Sequence, residues 1–294
     1  MSATGSSLTG APGCRSPMPG AAVDDSTAPR AGAHGSSAHV EYLLRLADNP
    51  LILGQRLSEW CGHGPALEED LALTNVALDL IGQARLLFAH AGRLEGRGRD
   101  EDAFAFHRDA GEFRNFTMLE LPNAGANAGG ASEGDYAVTI VRNLLFSAYQ
   151  ALLWEALANS TDVDLAAIAV KSAKEARYHL HHAADWTIRL GDGTDESHRR
   201  TQRTLTGLWP YAAEFFAADD LDRAMAVAGI GADPSAFEDA WCAQVTDVLA
   251  EATLEIPVAS KFRTTGKFGV HGEHLGHVLA EMQFLQRAYP GATW

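Results

Sequence analysis

The residue types that could do chemistry concentrate in the stretch KSAKEARYHLHH, Lys171 to His182. Helix bundles that hold two iron ions take a Glu from each of two helices and a Glu-x-x-His from each of two others. Three-residue spacing puts both ligands on one helical face. Here the imidazole is His179, and the position three before it is Ala176. Glu175 lies four before it, which also shares the face but does not meet the motif. The stretch therefore poses a choice between a metal enzyme and a bundle whose centre has lost its ligands.

Further polar groups fall at helical spacing. Asn75, Asp79 and Gln83 form a line with steps of four, readable as an interior polar network with Glu175 or as a solvated stripe. His271, Glu273, His274, His277 and Glu281 form a denser set, with Glu273, His277 and Glu281 on one face. Two imidazoles and a carboxylate there suit zinc or non-haem iron, but no partner helix offers obvious ligands. Lys261, Arg263 and Lys267 sit in a glycine-containing loop whose cations and amides could hold the phosphates of coenzyme A or meet a protein partner. No phosphate-binding glycine motif, nucleophile elbow or dinucleotide fingerprint occurs. Cys14, Cys61 and Cys242 are far apart and show no metal-ligand spacing.

The elements that would position these groups read as helices throughout. Apolar residues recur at helical period from His39 to Cys61, interrupted by Pro50, and from Ala66 to Gly92. In the second of these, Leu67, Leu71, Leu78 and Ile81 line one side and Leu73, Val76, Leu80 and Leu87 another. A helix apolar on two sides is expected to be buried between neighbours. Short helices are expected over 100–108 and 111–120, with a Gly/Ala/Asn loop over 123–134. Asp135 can cap a helix that runs to Ala158, and a long central helix spans Asp164 to Leu190. Helices opening near Thr194, Asp219, Pro234 and His271 complete the chain. No stretch reads as a strand, which predicts an all-α, antiparallel, bundle-like domain over 39–294. Residues 1–38 are Gly, Ser, Ala and Pro with few large apolar side chains and are expected to be disordered.

The chain has 294 residues, enough for one large core, and a net charge of −15, which argues against a nucleic-acid surface. The apolar runs look too short to span a bilayer, and the N-terminus lacks the apolar core of a signal peptide.

Several blocks, in order, resemble a known family. LILGQRLSEWCGHGPALEEDLAL (51–73), LDLIGQAR (78–85), KEARYHL (174–180) and GEHLGHVLAEMQFLQRAYPGATW (272–294) are similar to the PaaC family of phenylacetyl-CoA epoxidase subunits. The resemblance covers 39–294. It implies a ferritin-like bundle with extra helices, in a cytoplasmic bacterial oxygenase that adds one atom of O2 to the ring of phenylacetyl-CoA. It implies a hetero-oligomer in which a sister bundle, the catalytic subunit PaaA, holds the di-iron centre and a reductase supplies electrons from NADPH. Alignment on Gly82 places this chain's Leu80 and Gln83 at one Glu-x-x-His pair of that sister and Ala176 and His179 at the other. A further carboxylate position falls near Ser147, and one near Asn49 or Pro50. On this reading the chain has neither cofactor nor catalytic residue and serves as a structural subunit. The rival readings are an autonomous ferritin-like di-iron oxidase and an acyl-CoA-binding module.

Overall fold

The computed structural model describes residues 34–124 and 134–292. The expected disorder of residues 1–33, and most of the expected loop before Asp135, lie outside these. Among the described residues ten α-helices follow one another: α1 His34–Ser58, α2 Leu67–Glu95, α3 Glu101–Phe106, α4 Thr117–Glu120, α5 Tyr136–Leu157, α6 Val163–Gly191, α7 Asp195–Leu208, α8 Asp220–Val227, α9 Glu238–Glu251 and α10 Glu273–Ala288. The only strand-like pairing among the described residues is one isolated bridge between Thr265 and Val270. The all-α expectation holds.

Four long helices make the core, as two hairpins. The turn after Ser58 folds α2 back along α1, and the turn after Leu157 folds α6 back along α5. Gly54 lets the first pair close up: a Cβ there would stand 2.9 Å from Ile81 Cγ1 and 3.3 Å from the Ala77 carbonyl. The second hairpin packs on the first through α2 and α6, while α7 and α9 cover α5 and α6. Their shared interior is built from residues such as Leu43, Leu80, Leu87, Leu144, Phe146, Ala176 and Val245.

Local signals set most boundaries. Asp135 and Asp162 cap α5 and α6 with side-chain oxygens that accept from first-turn N–H groups. Thr194 and Asp219 form capping boxes ahead of α7 and α8. Pro50 neither ends nor splits α1, which continues through it. That helix opens at His34, so residues 34–38 belong to it rather than to the extension. The helix expected over 111–120 is instead a short 3-10 turn, Ala110–Glu112, followed by the single turn α4.

The burial of α2 corrects the sequence reading. Its Leu73, Val76, Leu80 and Leu87 side is buried as expected. On the other side Leu67, Leu71 and Leu78 are 73%, 56% and 61% exposed. Helix α2 is also, among the described residues, long and apolar enough to cross a membrane by length and composition. The same property is expected of a helix that runs through a bundle core, and its buried side is packed against α1.

Candidate functional site

Helices α2, α5 and α6 bring together the residues singled out at helical spacing. Leu80 and Gln83 face inward from α2, Ser147 from α5, and Ala176 and His179 from α6, all buried. Gln83 Nε2 donates to Glu175 Oε2 at 3.0 Å, and Gln150 Nε2 donates to Gln83 Oε1 at 3.5 Å. Glu175 is also paired with Lys171 at 2.5 Å. His179 Nε2 lies 3.1 Å from Asp79 Oδ2. Tyr149, on α5, packs among Phe116, Phe146, Phe215 and Phe216.

The polar line of α2 is only half interior. Each four-residue step rotates about 40° around a helix of 3.6 residues per turn. The line therefore winds from Asn75, which is exposed, past Asp79 at the edge to Gln83 in the core. Asn75 thus drops out of the expected interior network, while Asp79 and Glu175 stay in it.

These donors do not fit two irons. Such a centre needs several carboxylates to bridge and balance the ions, with two imidazoles. Leu80 and Ala176 carry no donor atom, Gln83 and Ser147 are neutral, and His179 is the one imidazole. Asp79 and Glu175 stand at the margin, already engaged with His179 and with Gln83 and Lys171.

The other candidate sets separate in space. Lys261 and Arg263 are exposed, and Arg263 folds back onto the carbonyls of Ser260 and Phe262. Lys267, by contrast, is buried: its ammonium donates to Asp222 and to the Ala217 carbonyl, and its backbone N–H to Glu214 Oε1 at 2.8 Å. It is an anchor for the loop and is closed to a phosphate, which corrects its expected place in a contact surface. The α10 set also divides. Glu273, His277 and Glu281 face solvent, whereas His271 turns inward to Glu120 and the Phe113 carbonyl. Of the three clustered histidines on α6, His181 is exposed, and His182 Nε2 lies 2.9 Å from Glu69 Oε2.

Three groups escaped the sequence reading. Arg108 and Asp48 form a wholly buried ion pair, closed by the Arg114 N–H on Asp48 at 2.8 Å. Arg142, inside the apolar run of α5, is buried and donates to Leu121 and Asn123, and burial pushes its pKa down to about 9. His39, His90 and Asp162 meet at one end of the bundle. Their partners come from distant segments, so no local spacing marks them.

Comparison with known proteins agrees with this architecture. Residues 25–294 match the family described as phenylacetic acid catabolic protein. The chain belongs to that family. Its members include ferritin-like helical bundles, and this chain is one. Within the phenylacetic acid catabolic proteins it is similar to the C subunit of the 1,2-phenylacetyl-CoA epoxidase of Escherichia coli (strain K12). The two are 48% identical over 253 residues, which is 86% of this chain and 98% of the relative.

Proposed function

We propose that this chain is a structural subunit of a 1,2-phenylacetyl-CoA epoxidase in cytoplasmic phenylacetate catabolism. It docks on the di-iron catalytic subunit in a hetero-oligomer, stabilises it, and does no chemistry of its own. The observation that carries the reading is the interior of α2, α5 and α6. Leu80 and Ala176 fill space where a metal-holding bundle needs carboxylates, and Gln83 and His179 are engaged with Glu175 and Asp79. Likeness to an epoxidase subunit along nearly its whole length supports membership of the complex. Burial of Lys267 removes one member of the loop that an acyl-CoA-binding module would use.

The test is co-expression with the catalytic subunit. The two chains are expected to co-elute at about micromolar concentration, a range in which specific interfaces persist. Iron is expected to follow the catalytic chain after separation. Two irons on this chain alone would overturn the reading, as would separate elution. His179→Ala is expected to lower stability by about 1–3 kcal/mol through the stranded Asp79–His179 contact, and to leave epoxidation by the reconstituted complex intact.

A further inference from the structure

Outside the emptied centre, one cluster of ligating side chains is built from three separate helices. His39 comes from the first turns of α1, His90 from the last turns of α2, and Asp162 is the cap of α6. His39 Nε2 lies 2.8 Å and His90 Nε2 2.6 Å from the same oxygen, Asp162 Oδ2. All three atoms fall within 4.8 Å of one another. His90 stands two turns beyond Gln83 on α2, about 10 Å along the axis, so the cluster is separate from the interior that resembles an iron site.

We propose that His39, His90 and Asp162 bind one divalent late first-row cation, with zinc(II) the preferred ion. Two imidazoles and one carboxylate are a donor set that such ions take, and partial exposure of the cluster leaves a fourth position for water. Tetrahedral bonds of about 2.0–2.1 Å would set the ligand atoms about 3.3 Å apart. The two short contacts would then open by about half an ångström.

Four observations favour a metal over a plain His–Asp–His tie. First, His39 Nε2 is buried and close to Asp162, yet does not meet hydrogen-bond geometry there or with any other group among the described residues. A tie would have aimed that N–H at the oxygen. Second, the carboxylate is held in place by its other oxygen, Oδ1, which accepts from the N–H groups of Asp164 and Leu165 at 3.0 and 3.1 Å. Oδ2 is left facing the imidazoles. Third, the loop that carries Asp162 is itself pinned, with Thr161 N–H on the Gly229 carbonyl and the Ser160 hydroxyl on the Ile230 carbonyl. Fourth, His90 has an outer carboxylate within reach. Arg93 donates to His90 Nδ1 at 3.3 Å and to Asp164 Oδ2 at 3.0 Å, and that carboxylate oxygen lies 3.4 Å from Nδ1. With a cation at Nε2, the ring proton would move to Nδ1, displace Arg93 from that nitrogen and turn to Asp164.

The test uses the full chain without an affinity tag, stripped with a chelator. Zinc chloride is titrated by calorimetry, and cobalt chloride by visible absorption. One site per chain of about micromolar or tighter affinity is expected, with intense four-coordinate cobalt bands. His39→Ala and His90→Ala are each expected to weaken binding at least tenfold, and Asp164→Asn about tenfold, the effect typical of an outer partner. Asp164 is exposed, so its variant folds normally and decides the matter together with His39→Ala should His90→Ala fail to fold. No zinc binding up to about 100 µM would overturn the site, since that is too weak for a built set of three ligands. So would equal affinity in wild type, His39→Ala and Asp164→Asn, which would place the ion on other histidines.

Discussion

At the scale of single residues, the buried ion pairs decide more than the polar groups shared by α2 and α6. Both ring nitrogens of His271 face acceptors: Nδ1 is 2.9 Å from Glu120 Oε2, and Nε2 is 3.0 Å from the Phe113 carbonyl. Satisfying both requires a proton on each nitrogen, so the geometry selects the imidazolium. Burial pulls its pKa down, but the hydrogen bonds to Glu120 and Phe113 and the charges of Glu120 and Glu214 outweigh it and hold the group above its ordinary value. A base raised in the folded state adds stability that is complete below its unfolded pKa and is lost as pH rises through the folded one. Wild type should therefore lose stability relative to His271→Gln as pH rises from about 6 to about 9. Denaturant melts across that range check it, and a pH-independent difference would refute it. Asp48 is a second case. Asp48→Ala strands the Arg108 guanidinium in the core and is expected to cost about 3–5 kcal/mol in urea melts, far more than an exposed substitution. Helical spacing grouped Asn75, Asp79 and Gln83 and left their burial open, and the resemblance placed Gln83 and His179 toward the interior. It could not reveal Asp48 with Arg108, or Lys267 with Asp222, because the partners are 60 and 45 residues apart.

At the scale of elements, α2 shows what a periodic pattern does and does not carry. Its period fixed the helix but marked two sides for burial where one is buried, and caps at Asp135, Thr194 and Asp219 fixed the starts of α5, α7 and α8. Apolar residues on the second face say that something could cover it, but spacing cannot say whether that cover is in the same chain. The glycines of this helix are equally silent in sequence. Gly82 has open space where a Cβ would go, whereas a Cβ on Gly92 would stand 2.2 Å from the Arg99 carbonyl. Alanine is favoured over glycine in a helix interior by about 1 kcal/mol, so Gly82→Ala should raise the stability of the isolated chain by up to that amount. Gly92→Ala gains the same propensity but must push backbone aside, and a net loss of about 1–3 kcal/mol is expected. Opposite shifts in melting temperature confirm the packing at the return from α2. Equal shifts would contradict it.

At the scale of the molecule, the uncovered face of α2 bears on how the chain assembles. Leu67, Leu71, Leu78 and Leu86 are exposed along it, and Val170 and Tyr178 are exposed on the adjoining α6. A contiguous apolar stripe of this kind on a chain with net charge −15 is a mark of a partner surface. On the proposed function, the catalytic subunit is its cover. Leu71→Lys with Leu78→Lys removes apolar area from the stripe without touching the interior. Exposed substitutions stay within about 0.5 kcal/mol, so the melting temperature of the isolated chain should hold. Burying two ammonium groups against an apolar partner is costly, so co-elution with the catalytic subunit should fall sharply at the same protein concentration. The paired measurement separates causes: loss of both stability and co-elution would mean a folding defect, while loss of co-elution alone ties the stripe to assembly. Unchanged co-elution would move the interface to another face of the bundle. Gln83→Ala gives the converse control, because Gln83 is buried beneath the stripe and holds Glu175. It should lower stability and leave the outer surface able to bind.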